Sequence, residues 1–171
     1  MKKIIFILLI IFAISFESDC KASVICLDGN EIIEAMIMEE THWQFWKTSN
    51  MGCVGLMQIG RDTLTDYNID NKTKWTMKEI RLNPVKNRKV GTWYWRKGIP
   101  KIFRNMNRNL RKKKVQWQIQ DNLKNRLIAY NACPNRAKKY NNPDHKEYKY
   151  LPKETRNHLK KVSKRLGIKL L

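Results

Sequence analysis

Two adjacent glutamates, Glu39 and Glu40, end a stretch of apolar and acidic residues at helical spacing. A helix from Glu31 to Thr41 would bury one face, because its apolar residues recur at the helical period. Those residues are Ile32, Ile33, Met36 and Ile37. The helix delivers the carboxylates to its C-terminal end, where a carboxylic acid beside a ligand is a candidate general acid.

A glycine-rich segment, Gly52–Gly60, follows the glutamates after a polar and aromatic loop over residues 42–50. Gly52 and Gly55 favour a tight backbone turn under a ligand, and the Leu-Met-Gln-Ile run that follows predicts a helix resuming at Leu56. The aromatic residues of the loop either fill the core or form the floor of a groove. The pattern predicts an acid that faces a groove.

The rest of the chain shows patterns typical of helices, and no period-two strand pattern or repeat is found. A chain of 171 residues with 42% hydrophobic content supports one core. The fold class predicted is therefore all-α, a single domain without a substantial sheet. Further helices are predicted over 76–81, 85–95, 102–110, 115–130 and 152–166, with a break at 98–100.

The N-terminus has the pattern of a secretory signal peptide, since Lys2 and Lys3 precede an apolar run over residues 4–14 and a polar break. Cleavage after Ala22 would leave a catalytic domain over 23–171. The signal would engage the inner membrane during export and deliver a periplasmic or secreted protein. An uncleaved anchor is the alternative, and Asp19 disfavours lipid attachment at Cys20.

Cleavage would leave three of the four cysteines, so at least one thiol is free or bonded between molecules. We predict no metal and no cofactor, because the chain has no CxxC pair and its histidines are scattered. The formal net charge of +20 favours a polyanionic partner. Export argues against nucleic acid and favours the cell envelope. Compositional bias without selected affinity is the alternative.

Four ordered patches carry a resemblance to a known family. They are residues 35–41, Ser49 with 52–59, Asn83–Asn87 with Gly91 and Tyr94, and Ala129–Pro134. Their order and spacing resemble the soluble lytic transglycosylase-like (SLT) domain. Residues 151–156 resemble the last motif of that family, so the resemblance covers nearly the whole mature chain.

The resemblance implies a lysozyme-like helical muramidase with a catalytic groove. Such enzymes cleave the peptidoglycan bond between N-acetylmuramic acid and N-acetylglucosamine and release a 1,6-anhydromuramoyl product. Glu40 takes the position of the catalytic acid, Thr41 that of the serine that follows it, and Glu39 is expected to face solvent. The substrate-binding positions implied are Ser49, Met57, Gln58, Tyr130, Asn131 and Glu154. Alternatively, Asn131 only caps the end of its helix, and Glu154 only places a favourable negative charge in the first turn of the last helix.

The chain departs from the family pattern at Cys53, where alanine is usual, and at Cys133, where glycine is usual. Both motifs line one groove in the family, so a disulfide between Cys53 and Cys133 is a hypothesis, with two free thiols as the alternative. The implied partner is the peptidoglycan strand, and we expect a monomer. One small domain behind a signal also resembles muramidases that open the wall for a secretion or conjugation apparatus, with a phage-borne or housekeeping wall enzyme as the alternative. A hydrolytic muramidase and a non-catalytic cationic envelope-binding protein are the competing functions.

Overall fold

The computed structural model describes residues 29–142 and 151–170. Its helices, in chain order, are α1 (Gly29–Thr41), α2 (Arg61–Asn71), α3 (Met77–Leu82), α4 (Pro84–Trp93), α5 (Ile99–Lys112), α6 (Leu123–Ala132), α7 (Pro134–Asn141) and α8 (Lys153–Arg165). A π-helical segment, Tyr94–Gly98, joins α4 to α5. The all-α class is confirmed, and within the described ranges extended backbone pairs only as isolated bridges at Thr48–Val54 and Val54–Ile59.

Helix α1 buries the face that its sequence predicts. Ile33, Met36 and Ile37 are at most 1% exposed. Burying an aliphatic side chain of this size contributes about 1.5–3 kcal/mol, so these residues hold α1 firmly in the core. Helix α8 packs against both α1 and α6. The C-terminal end of α1, which carries the two glutamates, is therefore fixed by a helix more than a hundred residues away in the chain.

The predicted break at 98–100 is wrong, because the backbone stays helical from α4 through the π-helical segment into α5. Pro100 lies in the first turn of α5, where its missing N–H has no helical partner to lose. Gly98 admits the ring of Tyr94, since a Cβ there would lie 2.7 Å from the Tyr94 Cδ2 atom. The wider π turn thus accommodates an aromatic residue of the core.

The predicted helix over 115–130 is also wrong in its first half. Helix α6 begins only after Asn122, whose side chain accepts a hydrogen bond from the Asn125 N–H at 2.9 Å. The preceding segment is held outside a helix by Asn107, whose side chain bonds both the N–H and the C=O of Ile119. Helix α7 was not predicted. It follows Cys133, which has a positive φ of 96°.

The glycine-rich segment forms a hydrogen-bonded loop, and the helix resumes at Arg61 instead of Leu56. Asn87 of α4 is fully buried beneath this loop. Its side chain accepts from the Met57 N–H at 2.9 Å and donates to the Val54 carbonyl at 2.8 Å. Gly55 has a φ of +76°, and a Cβ there would lie 2.1 Å from the Asn87 amide nitrogen. Asn87 and Gly55 therefore determine the path of the loop.

The predicted signal peptide, Cys20 and Cys26 lie outside the described residues, as does His145. Within residues 29–142 and 151–170, no helix has both the length and the apolar character needed to cross a membrane.

We predict that Gly91→Ala destabilises the protein by about 1–3 kcal/mol, the usual cost of overpacking a core. A Cβ at Gly91 would lie 2.4 Å from the Met57 sulfur and 2.8 Å from its Cβ, which the loop backbone holds in place. Urea unfolding measures the change. Gly60→Ala is the matched control, because its φ is −82° and its Cβ would lie 3.7 Å from the Cys53 sulfur. Equal stability of the two variants would contradict this packing.

Candidate active site

Glu40 lies near the C-terminal end of α1 with its side chain 17% exposed. Burial raises the pKa of its carboxyl to about 7, against the lowering effects of a hydrogen bond from the Asn131 side chain and the charge of Lys47. The negative charge of Glu39 adds to the increase. A carboxyl with a pKa near 7 still carries its proton in about half of the molecules at neutral pH, whereas an ordinary glutamate would be almost fully ionised, and a general acid needs that proton.

Glu39 does not face solvent, contrary to the expectation from the sequence. Its side chain is 7% exposed and is bound by Arg165 at 2.8 Å and Lys161 at 3.5 Å, both on α8. Burial alone would raise the pKa of Glu39, but the hydrogen bonds and charges of these two cations outweigh it and lower the pKa. The adjacent carboxyls are thus shifted in opposite directions, which is the pattern of an acid beside a permanently ionised neighbour.

His158 of α8 is a site residue that the sequence did not reveal. It is 6% exposed, and its Nδ1 atom lies 3.7 Å from the Glu40 Oε1 atom. Burial lowers the pKa of His158 to about 4, so the imidazole is neutral at pH 7. Its buried Nε2 atom has no hydrogen-bond partner in the part of the chain that the structure describes. The spacing of His158, Lys161 and Arg165 places all three on one helical face, a signal that the sequence does contain.

Ser49, Gln58 and Thr41 use their polar groups to hold the loop. The Ser49 hydroxyl accepts from the Cys53 N–H at 3.0 Å. Gln58 has a φ of +46°, and its amide donates to the Gly55 carbonyl at 2.9 Å. The buried Thr41 hydroxyl lies 3.1 Å from the Leu56 carbonyl and 3.2 Å from that of Ile37. Thr41 therefore ties the end of α1 to the loop instead of facing the groove.

Met57 and Tyr130 connect the loop to α6. The Tyr130 hydroxyl donates to the Met57 carbonyl at 2.6 Å, and burial raises the pKa of this phenol well above its usual value. The Met57 side chain is fully buried and fills the space that Gly91 leaves open. The Met57 side chain therefore supports the loop from below, and the substrate-binding role of this position stays a prediction.

Asn131 and Glu154 occupy different environments. The Asn131 side chain lies close enough to the carboxyl of Glu40 to lower its pKa. Glu154 is exposed in the first turn of α8, where a negative charge is favoured by the helix dipole. The structure thus brings Glu40 and Asn131 into contact, with Tyr130 beside them, and leaves Glu154 on the surface.

The sequence also did not single out Lys47 or Asn87 as site residues. Lys47 places its ammonium 3.4 Å from the backbone carbonyl of Glu40, and Asn87 holds the loop from below. Asn87 belongs to one of the four patches that resemble the SLT domain, but its role depends on contacts with residues thirty or more positions away.

The sequence matches the model of a known protein family. The Transglycosylase SLT domain matches residues 28–151, a range that includes Glu40, the loop and α6. The chain belongs to the SLT transglycosylase family. A comparison with curated proteins gives no match. Membership indicates transglycosylase-type chemistry on peptidoglycan at the level of the family, and it agrees with the lysozyme-like helical fold.

This SLT domain carries its two unusual cysteines as free thiols. Cys53 is partly buried and Cys133 is exposed, so the hypothesised disulfide between them is not formed. Their charges, when ionised, would act on Tyr130 and Tyr94, respectively. Within the described residues of the SLT domain and α8, no group of three or more acidic, histidine or cysteine side chains is arranged to hold a metal ion.

The opposite pKa shifts of the two glutamates predict opposite effects of Glu→Gln on stability. Glu40 has a folded-state pKa of about 7 against 4.5 for an unperturbed glutamate, so its ionisation lowers stability as pH rises through this range. Glu40→Gln should stabilise the SLT domain by up to about 3 kcal/mol at pH 8 and by little at pH 4.5.

Glu39→Gln is the matched comparison at the neighbouring position. The pKa of Glu39 is lowered, so its ionised form contributes stability above its unfolded-state pKa, and that contribution is lost as pH falls through the folded-state pKa. Its substitution should destabilise the domain at pH 8. Urea unfolding at both pH values measures both effects. Destabilisation at pH 8 by Glu40→Gln would contradict the assignment.

Proposed function

We propose that this SLT domain is a peptidoglycan lytic transglycosylase. It cleaves the β-1,4 bond between N-acetylmuramic acid and N-acetylglucosamine and forms a 1,6-anhydromuramoyl product. The observation that carries the proposal is the buried carboxyl of Glu40, whose pKa burial raises to about 7. Family membership supports the substrate class.

A single carboxylic acid is sufficient for this reaction. Most glycosidases use two carboxylates, but Glu39, the carboxylate whose charge acts on Glu40, is bound to Arg165 and Lys161. That pairing holds the Glu39 carboxylate against α8 and makes it a poor nucleophile or base. The role of the second carboxylate must then be taken by a group of the substrate itself. This favours a product formed by intramolecular attack.

In the first step, the Glu40 carboxyl donates its proton to the glycosidic oxygen. The bond from C1 of the muramic acid to that oxygen breaks, and its electron pair remains with the departing N-acetylglucosamine. The neighbouring N-acetyl carbonyl oxygen supports the cationic C1. His158, Asn131 and Lys47 surround the resulting Glu40 carboxylate with a neutral imidazole, an amide donor and a positive charge.

In the second step, the Glu40 carboxylate takes the proton from the C6 hydroxyl of the same muramic acid. The O6 atom bonds C1 and closes the 1,6-anhydro ring, which returns Glu40 to its protonated form and consumes no water. The C6 hydroxyl competes effectively with water because its attack is intramolecular, with an effective concentration far above that of a free reactant. The side chains of Tyr130 and Asn131 lie near the acid and hydrogen-bond the acetamide groups of the substrate.

We also propose that the protein is exported. Its substrate lies outside the cytoplasmic membrane, and the pattern over residues 2–14 is that of a secretory signal. A net charge of +20 suits a protein that works among acidic polymers of the envelope. We further propose that the enzyme opens the cell wall for a secretion or conjugation apparatus. Protease protection of the protein in intact cells and after outer-membrane permeabilisation tests the location.

The product test separates this proposal from hydrolysis. Purified sacculi digested by the wild-type protein should release anhydromuropeptides, which are lighter by one water than hydrolysis products. Glu40→Gln should lower release by at least about a thousandfold, because the proton donor is lost, while Glu39→Gln should retain activity. Reducing-end products in place of anhydro products would assign a hydrolytic muramidase. Undiminished release by Glu40→Gln would exclude Glu40 as the acid.

The raised pKa of Glu40 predicts how the rate depends on pH. Because the acid must be protonated to act, kcat should fall as pH rises above about 7. The rate of anhydromuropeptide release across pH 5 to 9 measures this limb of the profile. A rate that falls already above pH 5 would indicate a carboxyl with an ordinary pKa and contradict the assignment.

A further inference from the structure

The loop between α1 and the glycine-rich segment exposes aromatic residues that the proposed reaction does not use. Trp46 is 61% exposed and Phe45 is 38% exposed. Their rings contact each other edge to face, with centroids 5.1 Å apart. Of the two possibilities that the sequence left open, core filling is therefore excluded for this pair. Exposed apolar surface of this kind is typical of a binding site.

The backbone beside the pair is hydrogen-bonded to the glycine-rich loop. Lys47 directly follows Trp46, and its carbonyl accepts from the Gly55 N–H at 2.9 Å and from the Gln58 amide at 3.3 Å. The ammonium of Lys47 lies 3.4 Å from the backbone carbonyl of Glu40. The residue that follows the exposed rings is thus hydrogen-bonded both to the loop and to the end of the helix that carries the acid.

This attachment favours a glycan as the occupant. A pyranose ring presents a face of C–H groups that packs against an aromatic ring, whereas its hydroxyls point outward to polar groups. Rings held in a fixed relation to the acid help to position a sugar chain for reaction. A membrane surface would also accept exposed aromatic residues, but it requires no such connection to the catalytic loop.

We propose that Phe45 and Trp46 form an aromatic platform that stacks on a sugar ring of the glycan strand at one end of the groove. The proposal rests on the proposed function for its substrate class. The edge-to-face contact holds the rings in place before binding, so little side-chain entropy is lost when the sugar packs on them. The platform lengthens the site beyond the residues of the SLT motifs and selects for chains over single sugars.

The test measures binding separately from catalysis. In a Glu40→Gln background, which leaves the glycan intact, Trp46→Ala should weaken binding to purified sacculi about tenfold, equivalent to about 1.4 kcal/mol. Trp46→Phe should retain binding within about threefold, because it keeps an aromatic face. Melting temperatures of all variants show that the fold is kept.

Trp43→Ala is the matched control from the same loop. Trp43 is 44% exposed and lines a different cavity, which it shares with Ala35 and Met38 of α1 and with Leu166 at the end of α8. Its substitution should leave sacculus binding unchanged. Unchanged binding by Trp46→Ala, or an equal loss in Trp43→Ala, would overturn the proposal.

A second arm uses vesicles of anionic phospholipid. Loss of vesicle binding by Trp46→Ala with sacculus binding intact would overturn the platform in favour of a membrane contact. The binding and product assays also distinguish failure of the platform proposal from failure of the proposed reaction. If wild type releases no anhydromuropeptides but Trp46→Ala still weakens sacculus binding, the reaction fails and the platform stands. If the products appear and binding is unchanged, the platform alone fails.

Discussion

The desolvated carboxyl of Glu40 is the interaction on which the rest of the site depends. Taking a carboxylate out of water is costly, so the carboxyl keeps its proton instead, and burial raises its pKa to about 7. The negative charge of the adjacent Glu39 raises the pKa of Glu40 further. Arg165 and Lys161 bind Glu39, which lets two neighbouring carboxyls share one helix end in different protonation states.

Three segments far apart in the sequence hold this arrangement. Helix α8 supplies the cations and His158, α6 supplies Asn131 and Tyr130, and the glycine-rich loop closes the third side. The loop is ordered by backbone bonds to Asn87 and by the hydroxyl of Tyr130. A precise position for the acid is thus obtained from buried hydrogen bonds, which are costly to break in a low-dielectric interior.

The parts of the structure that could be predicted from the sequence are those determined locally. The apolar period of α1 predicts the helix and its buried face without knowledge of the rest of the fold. Local patterns failed where distant contacts decide the outcome. Nothing in the sequence around Met57 shows that its side chain packs against Gly91, and Glu39 resembles a surface residue until Arg165 binds it. The extended segment before α6 depends in the same way on Asn107.

The most direct test of the account is the titration of Glu40 itself. Carbon-13 NMR of the side-chain carboxyl, assigned by comparison with Glu40→Gln, follows its protonation in the folded protein without substrate. The account predicts a midpoint near 7, well above that of Glu39 in the same spectra. A midpoint at 4.5, the pKa of an unperturbed glutamate, would show a solvated carboxyl and contradict the claim that burial prepares this residue to act as an acid.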